Sequence, residues 1–424
     1  MTTFVSLADW LCWQETLHPR SIDLSLERVK QVFQALCPNY RKPLTLTIAG
    51  TNGKGSCAAL LEAMLRAAGY QVGTYTSPHL VRYNERIRIN GKEVDDAALI
   101  AAFTQIEAVR AGISLSYFEF STLAALYLFS QAHLDVQILE VGMGGRLDAV
   151  NIIDTDVAMI TSIGIDHAEW LGPTRAHIAR EKAGVFRPQT PVVCAEIDPP
   201  ECLLAYAETL NAPLLLLNRD FNVTRHVNSW SVRGGPRQHY TGLTPLPLQG
   251  DHQYHNAAAA IMALSHLPTD TPISTDAINQ GLAQVRLTGR LELCDGPVPV
   301  LLDVGHNPQA AQTLLDYLST RPDSQRIHAL FTMMKDKDIG SVIATLKDRV
   351  HHWYYVPLPD NPRCADRTAM ADAFLREHVS QVTLTATSFV DALKTARKHC
   401  QNGDLLLIFG SFFLVSEYLR THPN

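Results

Sequence analysis

Several absences narrow the chain before any motif does. Its 424 residues include eight cysteines but no C-x-x-C pair. That removes zinc knuckles and thioredoxin-like redox chemistry, and scattered thiols fit a reducing compartment. No apolar run reaches the roughly 20 residues that span a bilayer; LLLIFGSFFLV at 405–415 falls well short. Basic charge is not in excess: 36 Lys and Arg stand against 42 Asp and Glu, a net charge of −6. A polyanion binder would carry a basic patch. MTTFVSLADWLCWQETLHPR at the start reads as an amphipathic helix, not a secretory leader, because no long apolar run follows a basic segment. There is no internal repeat, no low-complexity segment and no long apolar stripe that demands a partner. The expectation is a cytoplasmic monomer without nucleic-acid or membrane partners.

What is present is an ordinary globular composition, 46% hydrophobic and 18% charged, in a chain long enough for more than one core. LTLTIAG, then the helical pattern KGSCAALLEAMLRAAG, then YQVGTYTS form a strand–loop–helix–strand unit. VQILEVG, VAMITSIG and PVVCAE read as further strands, and their continuous apolar character suits a sheet covered on both faces. Residues 213–248 change character, with Thr, Val, Pro and Gly and little helical periodicity, and predict short antiparallel strands. A second alternation starts near 298 with VPVLLDVGHNP and continues through RIHALFTMM, HHWYYVPL, VTLTAT and DLLLIFG. The predicted fold is α/β in two domains. Residues 1–290 form a P-loop ATPase-like doubly wound sheet with a small antiparallel sheet, and residues 291–424 a Rossmann-like domain.

Three stretches carry chemistry. GTNGKGS at 50–56 follows a strand and opens a helix, so its backbone amides and Lys54 suit a nucleotide's phosphates. It fails G-x-x-x-x-G-K-[ST], since Ile48 replaces the first glycine and Gly55 pushes Ser56 one place late. Glu140 ends the strand VQILE, at the end of a parallel sheet where ligands bind, and a carboxylate there suits magnesium. Asp166 and His167 follow VAMITSIG. A lone histidine is more often structural than a ligand, and Lys182 alone reads as a solvated helix lysine. KDKD at 335–338 reads as a solvated charge run, and Ser411 as a loop residue.

Taken together, GTNGKGS, TSPHL, YFEFSTLAAL, LEVGMGGRLDAVN, DHAEWLG, REKAG, HNAAAA, GRLE and DVGHNP resemble the folylpolyglutamate synthase family, relatives of the Mur ligases, in its bifunctional bacterial branch. The matches run in family order over nearly the whole chain. The resemblance implies an ATP-dependent ligase that joins L-glutamate to dihydropteroate, and to tetrahydrofolate and its polyglutamates, through an acyl phosphate. It implies ATP contacts at Thr51, Asn52, Gly53, Lys54, Gly55, Ser56, Asn256, Arg290, Asp303 and His306. Two Mg2+ sites would be served by Ser77, Glu140, His167 and a carbamylated Lys182, with Lys54, Glu140, His167 and Lys182 as the catalytic set. A monovalent cation such as K+ is also compatible. Pteroate would lie against Asp23, Leu24, Ser25, Leu26, Ser116, Tyr117, Phe118, Glu119, Leu147, Asp148 and Ala149. The family's D-x-A-H-N-P loop has Gly305 in place of alanine here, which should loosen it slightly. The competing readings are a monofunctional folylpolyglutamate synthase and, from another class, a P-loop kinase or switch that ignores glutamate.

Overall fold

Each apolar run named above contains a strand in a computed structural model, which describes residues 4–20, 22–234, 239–268 and 270–422. The strands form three sheets. The largest has eight strands in the order Lys92–Glu93, Ile87–Ile89, Val72–Tyr75, Val136–Glu140, Leu44–Ala49, Val157–Ile160, Val192–Cys194 and Leu214–Leu216. Its last six strands are parallel, and the first two pair antiparallel at the edge. The central strands are buried throughout, as a sheet covered on both faces requires.

Phe221–Arg225, Trp230–Gly234 and Tyr240–Leu243 make the small antiparallel sheet, within the stretch expected to hold one. Residues 235–238 of that stretch lie outside the described residues. Leu214–Leu216 departs from the expectation. It pairs in parallel with Val192–Cys194 and extends the large sheet.

The third sheet has six strands in the order Glu292–Cys294, Val300–Asp303, Leu405–Phe409, Ile327–Phe331, His352–Tyr355 and Val382–Thr383. All neighbours are parallel except the first pair. LCDGPVP is therefore the hairpin that opens this sheet. A core of Phe331, Phe409, Trp353 and Phe374 with surrounding aliphatic residues joins this sheet to the helices Pro308–Leu318, Ile339–Leu346 and Arg367–Arg376.

The chain divides into two compact units. The first comprises 1–163, 173–247 and 254–285. The second comprises 286–424 together with two excursions, 164–172 and 248–253. In the first unit the helix Lys54–Ala67 buries Leu60, Leu61, Met64 and Leu65. Truncating any one of these to alanine should cost about 2–5 kcal/mol. The helix Thr275–Gln284 packs against it through Gly281, where a Cβ would lie 2.5 Å from the Met64 Cα.

Candidate active site

The strand Leu44–Ala49 delivers the chain to Gly50, whose φ is +151° and where a Cβ would fall 1.8 Å from Thr161 Oγ1. Gly53 has φ +91°, and a Cβ there would meet Asn256 Oδ1 at 2.8 Å. Both positions need glycine. The loop is pinned to the end of the next strand. Thr51 N donates to Ser162 O at 2.7 Å, Asn52 N to Ser162 Oγ at 3.0 Å, and Thr161 Oγ1 donates to Asn52 O at 2.6 Å. No side chain caps the helix Lys54–Ala67 that follows, so its first-turn amides face whatever anion the loop receives.

Register brings the other groups to this end of the sheet. Ile48 pairs with Glu140 and Ala49 with Ile160. Glu140 is buried, and its Oε2 accepts a hydrogen bond from Ser77 N at 3.0 Å. Lys182, on the helix Arg175–Ala183, is only 4% exposed. Its Nζ donates to Gly50 O at 2.7 Å, while Lys54 Nζ donates to the same oxygen at 3.1 Å and to Thr51 O at 3.2 Å. Two ammonium groups thus converge on one loop carbonyl. Lys182 is not the solvated helix lysine that its sequence context suggests.

The segments expected to hold pteroate also gather in this unit. Ser116 and Glu119 cap the helix Tyr117–Gln131 reciprocally, with Ser116 N donating to Glu119 Oε2 at 2.7 Å. Arg28, which the sequence reading did not single out, ties two expected residues together: it lies 3.1 Å from Glu119 and 3.2 Å from Asp23. Leu24, Ser25 and Leu26 lie half-buried on the approach to the helix Glu27–Leu36, which packs on Tyr117–Gln131. The Phe118 ring occupies the space a Cβ on Gly142 would need, 2.5 Å away. The ring also neighbours Tyr75, at 5.9 Å between ring centres. Asp148 is buried between Leu147 and Ala149 and accepts from Met143 N at 2.8 Å and Val150 N at 3.1 Å. Burial pushes its carboxyl up to about 7, against the pull of those amides and the charge of Lys54.

The second unit has its own cluster. Asp303 ends the strand Val300–Asp303 and accepts from Gly305 N at 2.8 Å and Leu291 N at 3.0 Å. Burial raises its carboxyl, and the Arg290 charge opposes that. A Cβ on Gly305 would lie 2.6 Å from Asp303 Oδ1, so the glycine lets the carboxylate fold tightly onto its own loop. The Arg290 guanidinium lies 4.8 Å over the Phe412 ring. Ser411 is buried and caps the helix Phe412–Thr421.

His167 falls in this unit, on the excursion 164–172, whereas Ser77, Glu140 and Lys182 fall in the first. It holds a left-handed backbone, φ +52°, and its N–H donates to Asp166 Oδ1 at 2.9 Å. Asp166 also receives Lys337 Nζ at 2.5 Å and lies 3.5 Å from His306 Nε2. Burial acts to raise the Asp166 carboxyl, but the His306 hydrogen bond and the charges of His167 and Lys337 hold it well below the usual carboxylate range. The reading of KDKD as a solvated run holds for exposed Lys335 and Asp336 and fails at Lys337, whose side chain is 6% exposed.

Comparison with known proteins decides the family. The Mur ligase middle domain matches residues 48–264, and the Mur ligase glutamate ligase domain matches 289–412. The dihydrofolate synthase/folylpolyglutamate synthase of Escherichia coli is 42% identical over 98% of this chain and 95% of its own length. The chain belongs to the dihydrofolate synthase/folylpolyglutamate synthase family. The family member from Mycobacterium tuberculosis is 34% identical over 91% of this chain and 83% of its own. Among solved structures, E. coli FolC in complex with DHPP and ADP superposes with a TM-score of 0.92 at 39% identity, covering 99% of both chains. A bifunctional folylpolyglutamate synthase/dihydrofolate synthase with Mn, AMPPNP and L-glutamate bound gives 0.89 at 42% identity, covering 98% of both.

Whether the family's divalent metal suits these residues depends on donor chemistry. Among the described residues no three His, Cys, Asp or Glu side chains form a metal cluster. Glu140 and the Ser77 hydroxyl are oxygen donors of the kind a hard cation takes. Lys182 joins them only as a carbamate, because an ammonium has no lone pair to give. With that modification the set fits. No helix among the described residues is long and apolar enough to cross a membrane.

Proposed function

We propose that the chain is an ATP-dependent amide ligase. It joins L-glutamate to dihydropteroate, making dihydrofolate, and to tetrahydrofolate or its polyglutamates, extending the chain. The observation that carries this reading is the phosphate loop with Lys54 and Lys182 converging on Gly50 O beside Glu140. A plain NTP switch has no use for a second buried lysine there. The matched glutamate ligase domain, the relatives' names and the ligands of the solved structures support the same reading.

A carboxylate is a poor acyl donor because its leaving group would be oxide. Transfer of the γ-phosphoryl group of ATP to a carboxylate oxygen leaves ADP and an acyl phosphate. The amine of glutamate then attacks the acyl carbon, the C–O bond to phosphate breaks, and phosphate and the amine proton leave. The first-turn amides of Lys54–Ala67 and the glycine loop hold the phosphates, and Lys54 neutralises charge that builds on the transferring group. Losing one such contact costs roughly 3–4 kcal/mol of transition-state stabilisation, a hundredfold or more in rate. Ser77, Glu140, His167 and carbamylated Lys182 would hold Mg2+, which supplies further charge neutralisation at the phosphates. Asp23, Leu24, Ser25, Leu26, Ser116–Glu119 and Leu147–Ala149 receive the pteroate moiety, with apolar and aromatic side chains against its flat rings. Asn256, Arg290, Asp303 and His306 are the further nucleotide contacts in this reading. The same reading makes the protein a cytoplasmic monomer that handles small molecules only, in keeping with its eight free thiols.

The test is phosphate release from ATP by purified protein with Mg2+, supplying glutamate, dihydropteroate and tetrahydrofolate singly and in pairs. Release is expected only when glutamate and one pteridine acid are both present. Release indifferent to glutamate would sink the ligase reading in favour of a kinase or switch. Turnover with tetrahydrofolate alone would leave a monofunctional enzyme.

A further inference from the structure

Arg86 ends the short helical turn Tyr83–Arg86 and is 8% exposed. Its neighbours on the same stretch have carboxylate partners: Arg88 pairs with Glu62 at 2.9 Å, and Arg82 lies 3.8 Å from both Glu93 and Asp96. Arg86, the most buried of the three, pairs with no carboxylate among the described residues. Adjacent Glu85 is engaged by the backbone amides of Leu80, Val81 and Arg82. The groups that touch the Arg86 guanidinium are an imidazole and two phenol rings. Its Nε donates to His79 Nδ1 at 2.8 Å, and its Cζ lies 5.4 Å from the Tyr83 ring and 5.6 Å from the Tyr117 ring. Burial pushes the phenols of Tyr75, Tyr83 and Tyr117 up despite the nearby Arg86 charge. They therefore keep their protons and supply no counter-charge.

A buried cation without an anion is costly, and stacking on two aromatic faces offsets only part of that cost. A ligand can supply the missing charge. Position says which ligand. Arg86 O accepts from Thr76 N at 2.9 Å, the residue before Ser77. Tyr117 belongs to the Ser116–Glu119 segment assigned above to the pteroate moiety. The guanidinium therefore sits where that segment meets the Ser77 strand end. A planar fork matches a carboxylate bidentately, and tyrosine and phenylalanine walls suit an aromatic acid better than a phosphate.

We propose that Arg86 is a substrate-binding residue that receives a carboxylate of the pteroate- or folate-type acid. This rests on the function proposed above. The two sources of that carboxylate separate by substrate. If Arg86 holds the reacting carboxylate, its loss harms dihydropteroate and tetrahydrofolate alike. If it holds the non-reacting α-carboxylate of the glutamate already attached, only tetrahydrofolate suffers.

The experiment compares the full chain with Arg86→Gln and Arg86→Lys. Binding of pteroate and of pteroic carboxamide is titrated with Mg2+ and a non-hydrolysable ATP analogue present, followed by KM for tetrahydrofolate and for ATP. Each variant is judged by its own ratio between ligands, so partial misfolding cancels. If the reacting carboxylate is held, wild type should prefer pteroate over the amide, and Arg86→Gln should weaken pteroate about tenfold to a hundredfold with the amide unchanged. Arg86→Lys should keep part of the preference. If the attached glutamate is held, Arg86→Gln should raise KM for tetrahydrofolate by a similar factor and leave pteroate unaffected. In either case KM for ATP stays where it was. Equal weakening of acid and amide, an effect on ATP alone, or no change in any of these constants overturns the proposal. Wild type that binds neither ligand overturns the proposed function itself, and the role of Arg86 with it.

Discussion

At the scale of single residues, the site is made of groups that are costly to keep. Lys182 is a buried cation that shares the Gly50 carbonyl with Lys54. Carbamylation, as proposed above, would turn one of two crowded positive charges into a negative one, which would relieve the repulsion as well as provide a ligand oxygen. Lys182→Ala should lower ligation at least a hundredfold, and acetate should restore part of it. Intact-protein mass under CO2-rich conditions should show one added carboxyl in wild type and none in the variant. Near-normal turnover by the alanine variant would leave Lys182 a structural lysine. Asp148 gives a second check. Its folded value, about 7, lies above the unfolded one, so the folded chain holds the proton more tightly. Stability should fall as pH rises from the ordinary carboxylate range, ~3.9, to about 7, and the cost is complete above that. Asp148→Asn loses amide hydrogen bonds at every pH but does not titrate. Denaturation midpoints should therefore favour the variant progressively from pH 5 to pH 8. Parallel profiles would mean that Asp148 stays ionised throughout.

At the scale of elements, the sequence was most informative where a feature is local. Val136–Glu140 and Leu405–Phe409 are unbroken apolar runs, and a fully buried strand has no other way to look. The Gly50–Ser56 loop was legible because its glycines, its lysine and the helix it opens are consecutive. Short edge strands were not. Lys92–Glu93 and Glu292–Cys294 carry no periodicity, and pairing partners alone define them. Leu214–Leu216 reads as part of the antiparallel stretch because three leucines cannot say in which direction they will pair. Site residues follow the same division. Arg28 and Arg86 read as ordinary charges until Glu119 and Tyr117 come up beside them from distant sequence. Lys337 looked like part of a wet charge run, yet it holds Asp166. Lys337→Met removes that partner and leaves a buried carboxylate with two imidazoles. The cost should be about 3 kcal/mol, at the low end for breaking a buried pair. For a unit of this size, calorimetry should show its transition about 6–12 °C lower. An unchanged transition would return Lys337 to the solvated surface.

At the scale of the molecule, the two units are not consecutive pieces of chain. The polypeptide passes from one to the other at 163–164, 172–173, 247–248, 253–254 and 285–286. No single cut in the sequence separates the two units, because two excursions cross over. One of these carries Asp166 and His167. The excursion 164–172 is therefore synthesised more than a hundred residues before the strand, loop and helix that receive it. At typical elongation rates that is a wait on the order of ten seconds. During this interval the nascent chain carries Ile165 and Trp170, apolar even in the finished fold where both remain about half exposed, with no Lys337 or His306 yet made. Birth order on the ribosome thus leaves the segment that bears His167 as the last part of the N-terminal half to find its place.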